Sequence, residues 1–352
     1  MAYTTINKST DYFNTVTYTG NASGQTITGV GHQPDFIWIK QRGDAGYDHS
    51  LHNSVSGLLK QLISNSTSTE ITNTDTVTSN NSDGFVLGAD TAGPNANSNN
   101  QDTKTYVAWN WKANGSGSAN TDGSQSATVS VNTTAGFSIV KFVNNQSYTT
   151  NTFGHGLGVV PKVIIMRSLD SSYNWDVHHN KVAISKRLVL NASTGEASST
   201  YMNSTSPTNQ VFTVKSDEFD TNDNCIAFCF AEKTGYSKFG SYVGNGNADG
   251  PFIYTGFKPA FFMVKQINAS GEGWFMWDNK RSSAGGANVN NRYLIASSNS
   301  ADGTLGVDCD FLSNGVKTRY GSSATNASGG TYIYMAFGQS LVGSNNVPCT
   351  AR

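Results

Sequence analysis

Gly31-His32-Gln33-Pro34-Asp35-Phe36-Ile37-Trp38-Ile39-Lys40 sets a pattern: Gly-x-x-Pro, an apolar run, then a base. The pattern returns as Gly158-Val159-Val160-Pro161-Lys162-Val163-Ile164-Ile165-Met166-Arg167 and as Gly256-Phe257-Lys258-Pro259-Ala260-Phe261-Phe262-Met263-Val264-Lys265. Recurrence at this distance, each time with fresh apolar segments, predicts three copies of one small domain. Pro fits the first position of a strand because its missing amide lies outside the ladder. The runs are apolar on both faces, as in Phe36-Ile37-Trp38-Ile39. Such a strand sits centrally, one face in its own unit's core and the other covered by a neighbour. Phe36, Trp38, Val163, Ile165, Phe261 and Met263 are the candidate core and assembly residues.

Other landmarks repeat in the same order. Ahead of each Pro an aromatic precedes a polar turn, at Tyr18-Thr19-Gly20-Asn21, Phe142-Val143-Asn144-Asn145 and Tyr242-Val243-Gly244-Asn245. After it a polar loop holds an aromatic beside an Asp, at Tyr47-Asp48, Trp175-Asp176 and Trp277-Asp278. A mid-unit apolar strand follows, through Leu62-Ile63, Leu188-Val189 and Leu294-Ile295. Each unit closes on an aromatic-rich strand: Thr105–Trp111, Asn224–Phe230 and Thr331–Phe337. Side chains alternate across a strand, so one face carries Val107/Trp109/Trp111, Ile226/Phe228/Phe230 and Ile333/Met335/Phe337. That large apolar face is assigned to the core; the opposite one is smaller and mixed.

The predicted fold is all-β, with three tandem β-sandwich or jelly-roll-like units. Residues 1–12 form a polar lead-in, 13–112 unit one, 113–127 a Gly/Ser/Asn linker by composition, 128–233 unit two, 234–339 unit three and 340–352 a tail. Units two and three follow almost without a gap, which predicts tight packing between them. Charged residues are 13% of the chain against a usual ~25%; the Ser, Thr, Asn and Gly in their place favour turns and solvated strand faces. Only 51–63 has the pattern for a short helix.

Composition narrows function. A net charge of -1 without a Lys/Arg cluster gives nucleic acid no electrostatic footprint. The start of the chain lacks the basic and apolar segments of a signal peptide, and no run is long enough to span a membrane. Cys225 and Cys229 share a strand face about 13 Å apart at ~3.3 Å per residue, too far to bridge; with Cys309 and Cys349 they read as thiols of a protein made in a reducing compartment.

No sequence motif assembles a catalytic group or calls for a cofactor. Asp217, Asp220 and Asp223 form the densest set of oxygen ligands, a weak Ca²⁺ candidate without the glycine and distal Glu of an EF-hand loop. His49, His52, His178 and His179 lack zinc spacing and read as surface-loop residues. The candidate glycan-binding residues are Tyr47, Asp48, Trp175, Asp176, Trp274, Trp277 and Asp278: exposed rings stack on sugars and acids bind hydroxyls. The competing reading has these rings plugging the ends of the sandwiches.

The opening Ala2-Tyr3-Thr4-Thr5-Ile6-Asn7-Lys8-Ser9-Thr10-Asp11-Tyr12-Phe13, the segment Gln33–Lys40 and the ending Tyr334-Met335-Ala336-Phe337 with Thr350-Ala351-Arg352 resemble virion-associated proteins of tailed phages of marine bacteria, cyanophages and pelagiphages among them. Gly338-Gln339 stands where that pattern has Ala-Glu. The resemblance implies a particle component made in the host cytoplasm and released by lysis, and it carries no catalytic residue. The expectation is therefore a non-enzymatic virion structural protein, a head decoration or a tail or fibre component, whose partners are other virion proteins and further copies of itself. A host-recognition module that binds surface glycan is the alternative, and an envelope polysaccharide depolymerase the third reading.

Overall fold

The computed structural model describes residues 4–93, 95–281, 288–304 and 309–340. The expected tail beyond Ser340, with Cys349, lies outside the described residues. Among the described residues, the regular structure apart from one 3-10 turn at Ser9–Asp11 is strand, and the strands are antiparallel. The helix expected within 51–63 does not form. The strand Ser50–Asn53 and the short strand Lys60–Gln61 flank a turn there, and Leu51 and Leu62 bridge each other.

Three large sheets share one strand order. In the first, Phe13–Thr19 lies beside Thr105–Trp111, then Phe36–Gln41, then Ser50–Asn53. In the second the same places are taken by Phe137–Val143, Asn224–Phe230, Val163–Ser168 and Asp176–His179. In the third they are taken by Ser237–Val243, Thr331–Gly338, Pro259–Gln266 and Phe275–Asp278. The Gly-x-x-Pro strand thus always lies between the closing strand and the one after the polar loop. Every residue of all three Gly-x-x-Pro strands is buried, as two-sided cover requires. Smaller sheets lie outside them: Gln25–Ile27 with Gly84–Leu87 and Val77–Asn81, Thr150–Gly154 with Val211–Lys215, and Phe252–Tyr254 with Gly315–Thr318 and Cys309–Leu312.

The two faces of each large sheet go to different cores. The bulky face of all three enters one shared cluster, holding Phe36, Trp38, Trp109 and Trp111 with Val163, Ile165, Phe228 and Phe230 and with Phe261, Met263, Met335 and Phe337. The smaller face packs locally. Ile37, Ile39, Tyr106 and Ala108 meet Phe85; Ile164, Met166 and Ala227 meet Phe212; Phe262, Val264 and Ala336 meet Phe311. The molecule is three sandwiches closed around a common aromatic centre. Bulky side chains, aromatic and aliphatic, fill that centre at the close packing of a protein interior.

Two expectations need correction. The candidate assembly residues, expected to meet neighbouring subunits, meet the other two units of their own chain and are buried there. The 113–127 stretch is not a free spacer: Ala113 joins the shared core, and Ser118–Asn120 pairs with Ala127–Val129 on the edge of the second sheet. Asp35 anchors its start by accepting the Ala113 and Gly115 amides at 2.7 and 3.0 Å.

Candidate functional site at the seams between units

Strand register places the loop residues. Phe36, Val163 and Phe261 lie opposite Asn53, His179 and Asp278, so His49, Trp175 and Trp274 occupy one structural position, just before the paired strand. This corrects the alignment of Tyr47, Trp175 and Trp277. Trp277 is level with His52 and His178 and points into the third unit's own core.

The shared position forms a closed cycle of hydrogen bonds between units. Trp175 Nε1–H donates to the Ile63 carbonyl at 2.8 Å, from unit two to unit one. Trp274 Nε1–H donates to Val189 at 2.9 Å, from three to two. His49 completes the ring from one to three: Trp38 Nε1–H donates to its Nδ1 at 2.8 Å, which leaves Nε2–H to donate to Ile295 at 3.0 Å. The three acceptors, Ile63, Val189 and Ile295, are themselves equivalent by register with their paired strands.

A second cycle runs beside the first. Seven residues beyond each acceptor stands an acid, Glu70, Glu196 or Asp302. Its amide donates at 2.8 Å to the carbonyl of Leu169, Ile267 or Arg42, respectively. Those residues directly follow the ends of the Gly-x-x-Pro strands Val163–Ser168, Pro259–Gln266 and Phe36–Gln41. The base that ends each repeat lies buried at the same seams. Lys40 Nζ donates to Gln41 O at 2.8 Å, Arg167 Nε to Ser168 O at 2.7 Å, and Lys265 Nζ to Glu272 O. Burial pulls Lys40 and Lys265 down to about 8 and Arg167 to about 10. Asp302 and Glu70, reaching in from the adjacent unit, oppose that for Lys40 and Arg167.

The seam between units one and three also carries an ion network. Arg281, fully buried, bonds Asp278 at 2.6 Å and Asp302 at 2.8 Å and lies 5.3 Å over the Trp109 ring. Trp109 Nε1–H donates to Asp278 at 3.0 Å, and Arg42 pairs with Asp302 at 2.8 Å. Burial works against the Arg281 charge, but the two carboxylates override it and raise the group above its ordinary value.

These contacts decide the predicted glycan site. Trp175, Asp176, Trp274, Trp277 and Asp278 are all buried, and a ring without an exposed face cannot stack on a sugar. Tyr47 and Asp48 are half-buried, and Asp48 accepts from Asn65 at 2.6 Å. The competing reading, rings that plug the sandwich ends, describes the Trp positions. Asp176 instead joins a polar cluster: Arg187 lies 3.3 Å from it and 3.0 Å from Glu218. Burial pushes both carboxyls up, and the buried Tyr201 hydroxyl beside them has no hydrogen-bond partner.

The Ca²⁺ candidates do not converge. Asp217 pairs with Lys215, Asp220 accepts from Tyr173, and Asp223 accepts from Ser168 and Ser171. Nor are the histidines on the surface; all of them are buried. Cys225 and Cys229 are buried free thiols. A cleft of about 430 Å³ opens beside Val55, Thr128, Lys141 and Val143 and holds one titratable group, Lys141.

A family model described as Domain of unknown function (DUF7483) matches residues 8–340. No curated protein and no solved structure matches the chain.

Proposed function

The chain belongs to the DUF7483 family, and we propose that it works there as a non-enzymatic structural protein of a phage particle, displayed on the head or on the tail. One observation carries this reading: Trp175, Trp274, His49 and Asp278, four of the side chains that the sequence singles out, are spent on holding three units to one another. Such a chain is built for rigidity. Its regular structure is sheet, its seams are sealed by buried donors and acceptors, and its outer faces are solvated by Ser, Thr and Asn rather than by charge. The resemblance to virion-associated proteins supports the location.

Closure also bears on assembly. The two-faced apolar strands are fully covered inside one chain, so contacts with other virion proteins fall to the outer sheets and loops. Labelling of a tagged chain on purified particles, viewed by electron microscopy, tests the proposal. A regular array over the head or label on the tail supports it; particles free of label overturn it.

A further inference from the structure

We propose that the outer sheet of the third unit is a binding platform for a neutral oligosaccharide, built on Phe252 and Tyr254. The strand Phe252–Tyr254 is an edge strand in which Ile253 points into the core, so its two aromatic neighbours face solvent, 45% and 59% exposed. Two residues apart on a strand, they stand ~7 Å from each other on one face. Phe252 lies along the sheet rather than projecting from it. A methyl group added at Gly315 would come within 2.7 Å of its ring tip, so the ring rests on bare backbone with one side outward.

The fold does not require these rings, as the other units show. Ile27, paired with Phe85 next to the Ser82-Asp83-Gly84 turn, is the counterpart of Ile253, paired with Val316 next to Ser313-Asn314-Gly315. Its neighbours are the exposed Thr26 and Thr28. In the second unit the buried Phe153 is flanked by Thr152 and Gly154. One position type thus carries Thr or Gly twice and exposed aromatics once.

What surrounds the rings selects the ligand. Lys317, directly across from Phe252, pairs with Asp249 at 2.7 Å. Asp310, across from Lys317, pairs with Arg319 at 2.6 Å. The four charges cancel, so the charge complementarity of this face is to an uncharged ligand, and its ion pairs offer donors and acceptors to hydroxyls. Sugar rings supply both apolar C–H faces and hydroxyls. The exposed ring area, roughly 200 Å², falls well short of the ~800 Å² per partner of a stable protein interface. A second copy is therefore not the occupant. The inference stands apart from the virion assignment and survives its failure.

The test compares the chain with Phe252→Thr/Tyr254→Thr, which installs the first unit's residues. Binding to neutral hexasaccharides of glucose, mannose and N-acetylglucosamine is measured by calorimetry, with melting temperature as the folding control. The proposal predicts that the chain binds at least one of them and that the double variant, equally stable, binds at least about tenfold more weakly. It is overturned if none binds at millimolar concentration, if binding survives in the double variant, or if the face instead mediates dimerisation in sedimentation runs.

Discussion

Phe337→Ala should destabilise the whole chain rather than one third of it. The Phe337 ring touches all three units: Phe13 and Trp111 of the first at 5.1 and 5.7 Å, Phe230 of the second at 5.9 Å, and Phe239 and Phe261 of its own at 5.9 and 6.2 Å. It is 2% exposed. Removing a buried Phe ring costs ~3–5 kcal/mol, with the upper part of the range expected where the site cannot collapse, and sheets braced against one another on three sides collapse poorly. An unfolding entropy of ~2.1 cal/mol/K per residue over 352 residues gives about 0.74 kcal/mol/K, so the melting temperature should fall by ~4–7 °C. Calorimetry and urea titration followed by tryptophan fluorescence are the assays. The expected result is one cooperative transition, shifted as a whole, with an unchanged urea slope. The reasoning is refuted if the wild type melts in three separable steps and the variant shifts only one of them, or if the loss stays below ~1 kcal/mol.

Three further outcomes follow from the seams and from buried titratable groups. Trp175→Phe keeps an aromatic ring but strands the Ile63 carbonyl, 2.8 Å from the lost donor; urea unfolding should show a loss of ~1–3 kcal/mol, and faster amide exchange should be confined to the seam between units one and two. Asp176→Asn should stabilise the protein at pH ~8 and gain nothing in acid. Burial first, then the neighbouring Glu218 charge, raise the folded-state value above the unfolded one. The contribution of Asp176 is therefore complete below the ordinary carboxylate range and is lost as pH rises through the raised value; urea midpoints at the two ends of the range check this. His32, His52, His178 and His179 should stay neutral in the folded protein at pH ~5.5 by nitrogen NMR. Burial lowers His32, His52 and His178 to about 4 and His179 to about 3, and pulls His49 and His155 down as well. Their stabilising effect is then present above ~6.5 and is lost as pH falls toward those values.

The repeat was legible because Gly-x-x-Pro, the two-faced run and the closing strand are each fixed by local physics: a proline outside the ladder, burial on both sides, alternation of side-chain size. The direction of burial was half legible. Trp109 and Trp111 declared a core face, but a sequence does not say whether the matching volume belongs to one's own outer sheet or to two other sheets. The aromatic-Asp loops misled for a related reason. Trp beside Asp looks the same whether the indole N–H meets a sugar or a carbonyl of the next unit, and in the first unit the equivalent work falls to His49 rather than to the aromatic Tyr47. The seven-residue spacing from Ile63, Val189 and Ile295 to Glu70, Glu196 and Asp302 was a usable signal of the second cycle. The platform was out of reach, since Phe252-Ile253-Tyr254 reads as an apolar run until pairing shows which side chain turns inward.

Small-angle X-ray scattering tests the central claim, closure of three units around one core, most directly. A chain of 352 residues packed as one body has a radius of gyration of about 20 Å, and the account predicts that value at every concentration where the protein is monomeric. Three ~13 Å bodies strung in a line would give roughly 28 Å or more, and a monomer of that size would contradict the shared core.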